Sequence, residues 1–187
     1  TIATNLASAW HKQGYEVLLV DADPQQTALD WSDLEEGGVL TVQVGTKNLE
    51  DSLPRLAGQY DYVVIDSAPR MGRLTATVVR TSNLVVIPVQ PSAADIWSAE
   101  TVVGVCESYN TPAAFLVSRQ ITRTNLAAHV QEPLEELGLP VLQARTAQRV
   151  AYAKALGQGK SVLDLSDPKA QREVESIATE IGSYLSS

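Results

Sequence analysis

Short, unbroken apolar runs recur along the chain, each closed by a polar residue or a proline, with stretches of helical spacing between them. Val17-Leu18-Leu19-Val20 closes on Asp21, Val63-Val64-Ile65 on Asp66, Leu84-Val85-Val86-Ile87 on Pro88, and Ala113-Ala114-Phe115-Leu116-Val117 on Ser118. Runs that do not alternate with polar residues fit strands of a parallel sheet covered on both faces. Residues 39–44 and 140–142 are weaker strand candidates, which makes six. Ile2, Leu6, Ala9 and Trp10 recur at helical spacing and predict a helix over 2–13, ended by Gly14, where the chain wants a residue that tolerates positive φ. Further helices are predicted near 48–57, 74–82, 93–109, 125–137, 147–157 and 168–185. Strand and helix alternate throughout, so the fold expected is α/β, a doubly wound, mostly parallel sheet flanked by helices.

Composition narrows this picture. With 187 residues, 44% of them apolar, the chain can bury one substantial core, and no linker or repeat divides it. One domain over 1–187 is expected. The single cysteine, Cys106, allows no intrachain disulfide and no cysteine-held cluster, which fits a reducing cytoplasm. No apolar run approaches the roughly 18 residues of a membrane span, and Thr1-Ile2-Ala3-Thr4-Asn5 lacks the plan of a signal peptide. The chain has no initial Met and enters a helical pattern with no strand before it, so a domain clipped at its amino end is expected.

The net charge of −8 is uneven: residues 119–172 hold eight basic and five acidic groups, whereas 1–118 hold six and fourteen. A polyanion-binding surface over the whole molecule is excluded, and a local one is left open.

In an open parallel sheet, ligands bind beyond the carboxyl ends of the strands, so the residues that close the apolar runs are the first site candidates. Asp21-Ala22-Asp23-Pro24-Gln25 puts two acids at a strand end and then bars helix continuation at the proline, which predicts a loop. Alone, that segment is equally a plain turn with a capping acid. Tyr62-Val63-Val64-Ile65-Asp66 is a second acid-tipped strand, the Walker B pattern, in which a carboxylate supports Mg²⁺ beside a nucleotide phosphate.

Together these elements resemble the ParA/MinD family of deviant-Walker P-loop ATPases, and among them the short ParF-type proteins that partition plasmids. The resemblance runs nearly full length. It rests on the helix from Thr1 to Ala9, the segment Gly14 to Gln25, the segment Tyr60 to Asp66, the turn Gln90-Pro91-Ser92 after its strand, and Ala144-Arg145-Thr146-Ala147-Gln148-Arg149. The D-x-D-P-Q element is the most specific. By this resemblance Thr1 matches the second threonine of the family's K-G-G-x-G-K-T-T loop. The first strand and the P-loop, with its lysines and its Mg²⁺-binding threonine, are then lacking, and with them the N–H groups that cradle phosphate. The turn at Ser67-Ala68-Pro69-Arg70-Met71-Gly72-Arg73 departs from the family pattern.

The resemblance implies ATP and Mg²⁺ as cofactors. It implies Asp23 as the acid that positions the attacking water, Asp66 as support for Mg²⁺ through water, and Asp21 as organiser of the loop. Thr1, Arg145 and Thr146 join Asp21 and Asp66 on the nucleotide side. It implies a homodimer formed on ATP binding and released by hydrolysis, non-specific DNA binding, a ParB-like or ribbon-helix-helix partner, and a cytoplasmic, nucleoid-associated place with no membrane. The basic residues Arg119, Arg123, Arg145, Arg149, Lys154, Lys160, Lys169 and Arg172 fall where such proteins carry their DNA surface, with Arg123, Arg149, Lys154 and Lys160 as the leading candidates. They read equally as ordinary solvated side chains. Trp10 is expected in the core, while isolated His11 and His129 suit neither a metal nor catalysis.

Three other readings stand beside this one, the first a metabolic enzyme of the same superfamily, either a dethiobiotin-synthetase-like ligase or a nitrogenase-reductase-like protein, the latter needing cysteines where this chain has one. A MinD-like membrane ATPase needs a basic amphipathic last helix, and residues 173–187 hold three acids and no base. A catalytically inactive ParA-like adaptor needs only the fold.

Overall fold

The computed structural model of the protein describes residues 1–34, 38–68, 72–121 and 130–186. Its strands are β1 (Val17–Asp21), β2 (Leu40–Gln43), β3 (Tyr62–Asp66), β4 (Val85–Val89) and β5 (Ala113–Val117). Its helices are α1 (Ile2–Lys12), α2 (Thr27–Asp33), α3 (Thr46–Ala57), α4 (Gly72–Thr81), α5 (Ala93–Tyr109), α6 (Gln131–Glu135), α7 (Val150–Leu156) and α8 (Pro168–Ser186), with a 3₁₀ turn at Val162–Asp164. Every ladder is parallel. β1 pairs with β2 on one side and β3 on the other, and β4 pairs with β5.

The unbroken apolar runs are explained by burial on both faces. All five residues of β1 and of β5 are buried. Val17 and Leu19 turn to one core with α1 and α8, through Leu6, Trp10, Val174, Ile177 and Ile181. Leu18 and Val20 turn to the opposite face, where α3 and α4 supply Leu49, Leu53 and Val78. β5 alternates in the same way: Ala114 and Leu116 join the first core, while Phe115 and Val117 pack with Val103 of α5 and Leu134 of α6.

β3 and β4 are less covered, with only Val64 buried in β3, and each has one ladder partner among the described residues. The hydrogen-bonded sheet is therefore divided between them. The layer of α1 and α8 spans that division, since its core takes Val64 from β3 and Ala114 and Leu116 from β5.

Three expectations are revised. The loop expected after Pro24 is a single turn, and α2 follows at Thr27. The sixth strand reduces to isolated parallel bridges, Phe115 with Val141 and Gln120 with Ala147. Pro140 has no N–H to give a ladder, and those of Gln143 and Ala144 donate to the Glu180 carboxylate of α8 at 2.8 Å each. The helix expected over 125–137 is described only as α6, because residues 122–129 lie outside the described residues.

Helix α1 ends as anticipated, with Gly14 at φ +93°. Trp10 is buried, stacked on Tyr62 at 4.0 Å, and its indole N–H donates to the Ala178 carbonyl, which joins α1 to α8.

Candidate functional site

The β1–β3 ladder pairs Asp21 with Asp66, so both acid-tipped strands end side by side at one edge of the sheet. The two backbones meet again one residue on, where the Ala22 N–H donates to the Asp66 carbonyl at 2.8 Å. Strand register alone places these two residues side by side.

Asp21 is wholly buried, and its carboxylate is fully engaged. One oxygen accepts from the Asp23 N–H at 3.0 Å, and the other accepts from the N–H groups of Ala28 and Leu29 at 2.9 Å each. The last two are orphan donors in the first turn of α2, a helix whose own N-cap, Gln26, gives no side-chain bond. Asp21 caps that helix from the end of the preceding strand. It fixes the turn through bonds to backbone donors.

Asp23 stands in the turn that Asp21 organises. Its carboxylate accepts from the Gln25 N–H at 2.9 Å, and its carbonyl accepts from the Gln26 N–H at 3.0 Å. Pro24 fits such a turn, and Gln26 closes it in the left-handed region at φ +56°. Asp23 is half-buried.

The Asp66 carboxyl is held above the ordinary carboxylate range, chiefly by burial. The carboxylates of Asp21 and Asp23 add to this, and the Ser67 N–H opposes it. Thr1 caps α1, and its carbonyl accepts from the Asn5 N–H, the Asn5 amide and the Thr4 hydroxyl.

Among the described residues no three acidic, histidine or cysteine side chains converge to hold a metal by themselves.

The other candidates are placed as follows. Thr146 is buried; its hydroxyl accepts from the Arg119 N–H at 3.0 Å, and its carbonyl accepts from the Gln120 N–H at 2.8 Å. Arg145 donates to the Gln131 side chain at 2.7 Å. The 145–146 turn lies beyond the carboxyl end of β5, where the Thr146 N–H donates to the Val117 carbonyl. Arg149 is paired with Glu173 of α8 at 2.7 and 2.9 Å, and Glu173 also accepts from the Tyr152 hydroxyl and the Ala147 N–H. Lys154, Lys160, Lys169 and Arg172 are exposed, and Arg123 lies outside the described residues. His11 is exposed and His129 is also outside the described residues.

Sequence reasoning missed Asn5, Trp31, Glu173 and Glu180, each of which bonds to a segment distant in sequence. Only Trp31 left a signal, spaced three residues after Ala28 as on a helix face.

A family profile described as an AAA domain matches residues 35–109. Maintenance of carboxysome distribution protein A of Halothiobacillus neapolitanus is 28% identical over 197 residues, covering 97% of this chain and 89% of that protein. The protein of the same name from Gloeobacter kilaueensis is 33% identical over 184 residues, covering 94% and 82%. The solved structure of the septum site-determining protein MinD from Pyrococcus horikoshii, complexed with Mg-ADP, superposes with a TM-score of 0.78. It is 15% identical and covers 98% of this chain and 90% of that one.

Proposed function

The chain belongs to the ParA/MinD family of P-loop ATPases, and from that premise we propose that it is the body of a cargo-positioning ATPase that dimerises on ATP, binds DNA regardless of sequence in that state, and releases both on hydrolysis. The observation that carries this reading is the pairing of Asp21 with Asp66 at one sheet edge, with the Asp23 turn hung from the Asp21 carboxylate.

At that edge Asp66 would hold Mg²⁺, and the ion would neutralise charge on the phosphates of ATP. Asp23, held in its turn by the Gln25 and Gln26 N–H groups, orients the attacking water and accepts its proton. Asp21 keeps the turn and α2 in place. Thr1 would stand on the phosphate side of the nucleotide and the Arg145-Thr146 turn on the side of the base, as the family resemblance implies. The glycine-rich loop and its lysines are not among these 187 residues, so turnover is assigned to the protein carrying them.

Of the leading candidates, Lys154 and Lys160 are exposed and available to DNA, as are Lys169 and Arg172, whereas Arg149 is committed to Glu173. Binding by phosphate neutralisation needs only such a strip, doubled in a dimer.

For cargo, the two curated relatives are named for carboxysome distribution. That favours a large protein compartment, reached through an adaptor protein. A plasmid held by a ParB-like or ribbon-helix-helix protein is the alternative.

The test is binding of the protein, with its phosphate loop present, to random-sequence duplex DNA across a salt series. Binding that requires ATP and Mg²⁺ and weakens steeply with salt is expected. No binding at low salt with both present would remove the DNA step and leave positioning by another matrix.

A further inference from the structure

Helix α2 is fastened at both ends by groups that belong to different parts of the molecule. At its start, the carboxylate that caps it through Ala28 and Leu29 also holds the Asp23 N–H. At its end, the Trp31 indole, 1% exposed, donates to the Lys160 carbonyl at 3.0 Å, across 129 positions of sequence. Leu34, just past the helix, lies against Gly159. A Cβ at Gly159 would stand 2.4 Å from the Leu34 Cβ and 2.8 Å from its carbonyl carbon, so no side chain fits there. Gly159 also takes φ +62°, which strains any other residue. This close approach lets α2 rest on the backbone of the 157–161 loop.

That loop ends α7, and it is tied in turn. The Lys160 N–H donates to the Ala155 carbonyl at 2.9 Å, while Asn5 of α1 accepts from the Ser161 hydroxyl and the Val162 N–H at 3.0 and 2.9 Å. The exposed lysines at 154 and 160 stand on α7 and on this loop. Seven helical residues span only about 10 Å. A rod that short, bonded at each end and with Ala28 and Trp31 buried, moves as one piece in a close-packed surround.

We propose that Trp31 is a positioning residue that links the Asp21–Gln26 turn to the 157–161 loop, so that what is bound at Asp23 sets where the Lys154–Lys160 strip stands. The link itself rests only on the contacts above. Its consequence for DNA rests on the function proposed for the site, and the two are tested apart.

The link is tested by amide hydrogen exchange on the chain without nucleotide. Asp21→Asn should speed exchange several-fold at Ala28 and Leu29 and also at Lys160 and Val162. In a Trp31→Phe background, which keeps an aromatic ring and removes the indole N–H, Asp21→Asn should still speed Ala28 and Leu29 but add nothing at Lys160 and Val162. Unmoved Lys160 and Val162 amides in the first comparison, or equal movement in both backgrounds, would overturn the proposal.

The consequence is tested in the protein carrying its phosphate loop. Trp31→Phe should hydrolyse ATP at the native rate without DNA, yet lower the gain in DNA affinity caused by ATP by about threefold or more. An unchanged gain would overturn the proposal. If the native protein shows no such gain, the function proposed for the site falls, and the exchange comparison decides the link alone.

Discussion

The acid edge at the ends of β1 and β3 and the basic strip of residues 119–172 are built by opposite rules. At the acid edge, position follows from strand register: Asp21 lies beside Asp66 because their strands pair, and Asp23 hangs two residues further on from a bond to Asp21. Along the basic strip, residues alike in sequence have unlike fates. Arg149 is bound to Glu173, 24 positions away, and Arg145 to Gln131, while Lys154 and Lys160 are exposed. A strand-end motif can therefore be read from letters near one another, whereas a charged surface depends on which distant partners claim its members.

The sharpest way to break the local side of this contrast is Asp21→Ala. It strands the N–H groups of Asp23, Ala28 and Leu29, and should cost about 3 kcal/mol of stability, seen as a lower urea midpoint with little change in slope. A loss near zero would mean that the turn and α2 hold themselves. On the long-range side, Glu173→Ala leaves the Arg149 guanidinium, the Tyr152 hydroxyl and the Ala147 N–H without their acceptor. With both charged side chains under a quarter exposed, it should cost about 2 kcal/mol. The same variant should strengthen DNA binding at low salt in the protein with its phosphate loop if the pair is what withholds Arg149. Weaker or equal binding would show that the arginine has no path to phosphate.

The smallest effect tests the environment of Asp66. Burial raises its folded value above the unfolded one, so the proton it holds stabilises the fold fully below the ordinary carboxylate range. That contribution is lost as pH rises through the raised folded value. Asp66→Asn should therefore match the native chain at low pH and exceed it modestly at neutral pH. Urea midpoints at the two pH values check this, and an advantage confined to acid would reverse the sign.

The same contrast explains what the sequence disclosed. The acid-tipped strands, the end of α1 at Gly14 and the core place of Trp10 were legible because short-range pattern and burial decide them. Helix α2 was not, because it is seven residues long and its capping acid lies upstream of the turn, at the end of β1. The strand expected at 140–142 pairs with β5 only as a single bridge at Val141, and it goes no further because a carboxylate on α8 takes the next N–H groups, those of Gln143 and Ala144. Nor could spacing disclose that Gly159 is kept small by Leu34 or that Trp31 reaches Lys160.

The central claim, that Asp23 is the acid at which ATP is hydrolysed, is tested most directly by single-turnover hydrolysis in the protein carrying its phosphate loop, native against Asp23→Ala. The account predicts that the variant binds Mg-ATP and dimerises as the native protein does, with hydrolysis slowed by about 100-fold or more. Hydrolysis at the native rate would contradict it.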